Sequence, residues 1–151
     1  MWITKENINE FIEGSSMDCP DMDITHIEYI PDGITGLNCW NNKLTELPKL
    51  PESLTDLYCS NNQLTSLPKL PESLIGLYCG VNKLTSLPKL PNSLISLDCD
   101  NNELTELPKL PESLMGLFCG NNNLPYKVTL NNLKQHNKLT KRKQILSRIC
   151  V

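Results

Sequence analysis

Six of the seven cysteines recur every twenty residues, at Cys19, Cys39, Cys59, Cys79, Cys99 and Cys119. From Cys39 onward an asparagine follows each by three residues, giving Asn42, Asn62, Asn82, Asn102 and Asn122. A row of thiols has four chemical uses. It can ligate metal, form disulfides, attack electrophiles, or simply fill a core. Each use demands a different geometry, so the elements that carry the cysteines decide between them.

The stretches "LTDLYCSNNQL" at 54–64, "LIGLYCGVNKL" at 74–84 and "LISLDCDNNEL" at 94–104 superimpose on a twenty-residue shift without insertion. Units begin at Ile34, Leu54, Leu74, Leu94 and Leu114, and a worn copy begins near Gly14. Inside each unit the apolar residues around the cysteine alternate, as a strand with one buried face requires. The second half, "LPKLPES", carries prolines at 48/51, 68/71, 88/91 and 108/111. Proline removes an N–H and pushes its predecessor to extended conformations, so this half cannot be an α-helix. A short strand followed by an extended return predicts a solenoid of parallel strands about 4.8 Å apart, roughly 30 Å long over six turns. Leu54, Leu57, Cys59, Leu64, Leu67 and Leu70 and their equivalents point into its core. The asparagines then fall where the chain leaves the strand and bends, and there their amides satisfy backbone groups.

This geometry settles the thiols. Tetrahedral zinc gathers four ligands about one point, whereas a straight column at strand spacing cannot converge. No C-x-x-C pair occurs, and His26 and His136 lack ligand spacing. No metal and no cofactor is expected. Neighbouring in-register cysteines lie farther apart than the roughly 3.8 Å Cβ separation of a disulfide. An apolar column raises a thiol's pKa and supplies no base, so nucleophilic catalysis is not expected either. Cys39, Cys59, Cys79, Cys99 and Cys119 are therefore read with the asparagines as a structural ladder. Cys150 stands outside the column, and core packing is its favoured role over reactivity.

The unit L-x-x-L-x-C-x-x-N-x-L-T-x-L-P-K-L-P-x-S resembles the leucine-rich repeat. Its length and its "LPKLPESL" segment resemble the short twenty-residue subclass in bacterial effectors of the YopM and IpaH/SspH kind and in giant-virus proteins. The resemblance covers about residues 14–126. It implies a mainly β solenoid and a protein partner, with a host protein met in the host cytoplasm as the expectation. Relatives with ubiquitin-ligase activity carry a large catalytic domain after the repeats. The 25 residues beyond 126 leave no room for one, so Cys150 is not carried over as that nucleophile. The expectation is a non-enzyme.

Specificity in such a solenoid belongs to the outward residues of the strands. Four of the chain's eight aromatics, Trp40, Tyr58, Tyr78 and Phe118, fall there among small neighbours. With Asp98 and Asp100 they form the predicted partner-binding face. Tyrosine and tryptophan are enriched in binding hot spots, and the carboxylates favour a basic or mixed partner over nucleic acid. Lys49, Lys69, Lys89 and Lys109 stack on the opposite side and read as solvated surface.

The two ends read as caps. An amphipathic helix is predicted over residues 3–13, with Gly14 as its stop. A basic helix is predicted within 127–151, with Leu139, Leu146, Ile149 and Cys150 on its apolar face. The net charge is -3, but residues 1–112 carry -10 and residues 113–151 carry +7. That asymmetry supports a rival reading, in which Lys134, Lys138, Lys141, Arg142, Lys143 and Arg148 bind an anionic membrane or nucleic acid. No apolar run is long enough for a membrane span. The N-terminus lacks the apolar stretch of a signal peptide. A cytoplasmic monomer is the expectation.

Overall fold

The computed structural model describes the backbone of residues 1–149 and the side chains of residues 1–147. Its main feature is a seven-stranded sheet. The strands are β2 (Ile12–Glu13), β3 (Ser16–Asp18), β5 (Gly36–Asn38), β6 (Asp56–Tyr58), β7 (Gly76–Tyr78), β8 (Ser96–Asp98) and β9 (Gly116–Phe118), in that spatial order. From β3 onward all pairings are parallel and every register is a shift of twenty, so Leu37, Leu57, Leu77 and Leu97 form one row across the sheet. Two further strands, β1 (Trp2–Ile3) and β4 (His26–Ile27), pair in parallel beside this sheet.

The expected inward set is buried throughout. In one turn Leu54, Leu57, Cys59, Leu64, Leu67 and Leu70 are all core residues, and they join one cluster running from Ile3 to Leu133. The proline-rich halves contain no helix. Each return ends in a tight turn, in which the Leu54 N–H donates to the Pro51 carbonyl at 3.1 Å and Leu74 N–H to Pro71 at 3.2 Å. The serine that closes the unit has a function too. The Ser73 hydroxyl lies 2.7 Å from both the Glu52 and Leu54 carbonyls of the previous turn, and Ser93 and Ser113 repeat the arrangement.

The asparagines stitch the turns together on the other side. Asn102 is buried. Its Nδ2 donates to the carbonyls of Cys79, Cys99 and Asp100 at 3.0, 3.2 and 3.2 Å, while its Oδ1 accepts the Leu84 N–H at 3.0 Å. Asn42, Asn62, Asn82 and Asn122 make the same bridge between their own cysteine carbonyl and that of the preceding turn. Just before each lies a residue with left-handed backbone: Asn41, Asn61, Val81, Asn101 and Asn121, at φ 54, 56, 53, 54 and 48. Asparagine tolerates this region, but a β-branched side chain does not. These asparagines also donate one to the next, Asn61 to Asn41 and Asn121 to Asn101. Val81 interrupts that outer row.

Both ends differ from expectation in instructive ways. Residues 3–13 are not an α-helix. They form β1, a 3-10 turn at Ile8–Phe11 and β2. The first turn of the solenoid exposes unpaired backbone, and a helix, which satisfies its own hydrogen bonds, would leave it unpaired. Strands satisfy it: Thr25 N–H donates to the Met1 carbonyl and Glu28 N–H to Ile3, both at 2.9 Å. Gly14, at φ 60, turns the hairpin between β2 and β3 instead of stopping a helix. At the far end α1 (Leu133–Ile149) does form, preceded by a 3-10 turn at Leu130–Asn132. It docks through Leu133, His136, Asn137 and Thr140, with Leu139 half-buried. Leu146 is 61% exposed. The side chain of Ile149 and all of Cys150 lie outside the described residues. The reason is that the last return segment offers backbone, not only apolar surface, and backbone needs polar partners. The Asn137 amide therefore pairs with both the N–H and the carbonyl of Leu110 at 2.8 Å, as a further turn would. His136 Nε2 lies 2.9 Å from the Pro108 carbonyl and so carries the proton, while its Nδ1 meets the Tyr126 hydroxyl at 3.0 Å.

Two stability outcomes follow from these ladders. Asn102→Ala strands the Leu84 N–H and three carbonyls and should cost roughly 3 kcal/mol in urea denaturation. Asn102→Asp should not rescue it, because a carboxylate cannot donate to carbonyls. Val81→Asn relieves the left-handed valine and restores the outer row, so it should stabilise by about 1 kcal/mol. No change or a loss on that substitution would contradict the assignment of strain to Val81.

Candidate functional site

The site is the outward face of the parallel sheet, and its contents follow from the register. The residue in the middle of this face advances by one strand every twenty positions. Asn38, Tyr58, Tyr78, Asp98 and Phe118 therefore lie side by side across β5 to β9. Tyr58 and Tyr78 stack face to face, with ring centroids 4.6 Å apart and planes 1° from parallel. Partial burial, the Tyr78 phenol and the Asp56 carboxylate all push the Tyr58 hydroxyl pKa upward. The Tyr58 phenol is thus a neutral donor at ordinary pH.

Glycines make the room for this stack. A Cβ on Gly76 would come within 2.8 Å of Asp56 Oδ1 and 2.9 Å of the Tyr78 ring. One on Gly80 would come within 3.0 Å of Asp98 Oδ1. The small residues that flank the aromatics are therefore spacers for neighbouring side chains.

The other predicted face residues divide into two groups. Asp98 sits between Tyr78 and Phe118, so Phe118 is not part of the tyrosine stack. It is 59% exposed at the last strand. Trp40 is exposed too, one strand over from Tyr58 and two residues further along the chain. Asp98 and Asp100 have backbone partners. Asp98 Oδ1 accepts the Asp100 N–H at 3.1 Å, and Asp100 Oδ1 accepts the Gly120 N–H. One oxygen of each carboxylate is thus used to hold the loop after the strand. Asp56 takes a 2.8 Å hydrogen bond from the Thr55 hydroxyl. The face is aromatic and acidic, and its acids are fixed in place.

Sequence reasoning missed one component of this surface. The second position of the unit reads Thr35, Thr55, Ile75, Ile95 and Met115. Backbone bonds of 2.7–2.8 Å from Ile75 to Thr55, Ile95 to Ile75 and Met115 to Ile95 stack these residues one per turn. Ile75, Ile95 and Met115 are all exposed, Met115 by 77%. They form an apolar rim beside the aromatic column over the last three turns. The signal was the switch from threonine to isoleucine and methionine in one repeat column.

On the basic helix, Lys134, Lys138, Lys141 and Arg142 share the outer face of α1 and are exposed. Lys143 turns inward to Glu106 at 3.7 Å. The Arg148 side chain lies outside the described residues. On the opposite side of the solenoid Lys69 and Lys89 meet Glu52 and Glu72 of the preceding turn at 4.0 and 3.4 Å, as exposed pairs worth little stability.

The cysteine column is buried in every described turn. Burial, assisted by Asp18, pushes the Cys19 thiol up to about 12. Burial raises Cys39, Cys59, Cys79 and Cys99 as well, and neighbouring thiols add to it at Cys39, Cys59 and Cys99. Among the described residues the charged neighbours of these thiols are the Asp18, Asp98 and Asp100 carboxylates, which oppose a second negative charge, so the arrangement is protonated packing. Among the described residues no three His, Cys, Asp or Glu side chains are grouped as a metal ion would require.

A solenoid of twenty-residue turns, with a cysteine in the core and an asparagine bridging each turn to the last, has one architecture to match. This is a leucine-rich-repeat solenoid of the short, twenty-residue class. Its backbone superimposes on the YopM protein of Yersinia enterocolitica with a TM-score of 0.72 at 38% identity over 72% of the chain. It matches a Shigella effector leucine-rich-repeat domain with a TM-score of 0.75 at 34% identity over 84% of the chain. YopM of Yersinia pestis, described as a leucine-rich effector protein, gives 0.72 at 35% identity over 83%. The chain spans 24%, 57% and 36% of the length of those three proteins. No protein-family model and no curated protein matches the sequence. The likeness is to protein-interaction domains, which is the general function it supports.

The thiols generate a pH outcome. Their folded pKa values lie above the ordinary 9.0, so the folded state favours the protonated form. Stability from this source is complete below pH 9 and is lost as the pH rises above it. Cys39, Cys59 and Cys79 together should remove about 4 kcal/mol per pH unit beyond that point. Circular dichroism should show an intact fold at pH 8.5 and cooperative unfolding about two pH units higher. In a Cys150→Ser background the folded protein should not react with a thiol reagent at pH 8, and should react fully in urea.

Proposed function

We propose that this chain is a non-catalytic protein-interaction module. It binds a protein partner through Trp40, Tyr58, Tyr78, Asp98, Asp100 and Phe118, with Ile75, Ile95 and Met115 as an apolar rim. The observation that carries the reading is the combination on one rigid face of exposed, stacked aromatics with anchored carboxylates. Rigid aromatics lose little conformational entropy on binding, and fixed acids select a partner with complementary basic groups. An exposed apolar row along a folded surface marks a contact site.

The effector likeness supports a host protein as that partner and the host cytoplasm as the place of meeting. No helix among the described residues is long and apolar enough to cross a membrane. One oxygen of each of Asp98 and Asp100 is held by a backbone N–H, which fixes the carboxylates in place for recognition. The thiols are protonated and enclosed. Both observations favour binding over catalysis.

Affinity capture from host lysate tests this, followed by titration of the purified partner. Tyr58→Ser, Tyr78→Ser and Phe118→Ser should each weaken binding by up to thirtyfold, the loss of a hot spot worth about 2 kcal/mol, with circular dichroism unchanged. Salt should have a modest effect. Binding that survives the triple variant but vanishes when a folded chain is truncated after Tyr126 would move the function to the basic helix.

A further inference from the structure

A second surface, independent of the sheet face, lies at the two ends of the solenoid. Beyond Thr140 every described side chain of α1 from Lys141 to Ser147 is exposed, including Ile145 and Leu146, although Lys143 reaches back to Glu106. Lys134, Lys138, Lys141, Arg142 and Ile145 fall at helical spacings of four, three, one and three residues. They share the face opposite the docked Leu133, His136, Asn137 and Thr140. This is an unpartnered helix face, cationic with an apolar tip. At the same end β9 is the last strand of the sheet, so one edge of it meets no further strand.

What covers that face is indicated by the rest of the chain. Residues 1–33 hold eight acids and one lysine, a balance of -7, while residues 113–151 hold seven cations and no acid, a balance of +7. The central turns carry only -3. The fold turns this sequence asymmetry into a spatial one, because residues 1–33 build the first turns and residues 113–151 the last. All eight acids at the front are exposed. Among the described residues only Asp23 and Glu28 of these meet a lysine, at 2.9 Å from Lys43 and 4.0 Å from Lys5. Beside them Met1, Trp2 and Met22 are exposed. The front end thus offers an acidic surface with apolar side chains, matched in sign and kind to the basic helix at the back.

We propose that the outer face of α1 docks against the N-terminal turns of a second copy of this chain. The contact is head to tail. Different patches meet, so the association does not close as a two-fold dimer and extends into short rows of molecules. Opposite charges at the two ends steer the encounter, and salt weakens it.

The test is sedimentation of the whole chain in about 0.01 M salt, where charges act over about 30 Å, and again in 0.5 M salt, where screening shortens this to a few ångströms. The average mass should rise with concentration above the 17.1 kDa of a single chain in low salt and fall back in high salt. Two charge reversals sharpen it. Lys138→Glu/Lys141→Glu/Arg142→Glu takes the back end from +7 to +1, and Glu6→Lys/Glu10→Lys/Glu13→Lys takes the front end from -7 to -1. All six side chains are exposed, so folding should be kept, which circular dichroism checks. Each variant alone should lose at least tenfold in association, and an equal mixture of the two should associate again. A wild type that stays at the mass of one chain at every concentration overturns the proposal. So does self-association indifferent to both reversals. Binding of the monomeric chain to phosphatidylserine vesicles, lost in the first variant, would give the helix face to a membrane surface and overturn it as well.

Discussion

The amide of one asparagine per turn is the constraint on which this molecule rests. A solenoid turn of twenty residues must reverse direction immediately after a three-residue strand, and the reversal leaves carbonyls and N–H groups inside the bend. A backbone that closes on itself as a helix would satisfy them locally. This backbone cannot, because its return half is rich in proline. The asparagine supplies two donors and an acceptor at the one point where three carbonyls and an N–H from two turns meet. It therefore couples each turn to the one before it as well as satisfying the bend. That coupling is what makes the register a strict shift of twenty. A register that never slips is in turn what brings Tyr58 against Tyr78 and Ile75 against Ile95.

The same logic explains the cysteines. The position two residues before the bend must be apolar, since its side chain points into the core while its carbonyl is taken by the asparagine amide. A thiol fits and carries little hydrogen-bonding demand of its own. A row of potential nucleophiles is thereby converted into inert core. The proposed recognition is left to side chains the core does not need.

The ends follow a different rule from the middle. An interior turn is satisfied by copies of itself, but a terminal turn faces chain of another kind. At the front that chain is two short strands and a hairpin. At the back it is a helix whose Asn137 and His136 imitate the missing turn with side-chain groups. Each solution uses polar atoms to close backbone edges, and only then apolar ones to close the core. This order is why an apolar-face reading of the caps went astray at Leu146 and at residues 3–13.

The repeat, the inward columns and the outward columns were all legible in the sequence, because period two in the strands and period twenty in the chain are written directly into residue types. Trp40, Tyr58, Tyr78 and Phe118 could be placed on one face from counting alone. Counting could not show that Tyr58 and Tyr78 stack while Asp98 separates them from Phe118, that Asp98 and Asp100 each lend one oxygen to backbone, or that Val81 sits in a left-handed turn. Nor could it show how the caps form, since 3–13 has a helical pattern and still becomes two short strands and a 3-10 turn. Those outcomes depend on which hydrogen-bonding groups the neighbouring turn leaves open. That is a property of the assembled stack and of no single segment of it.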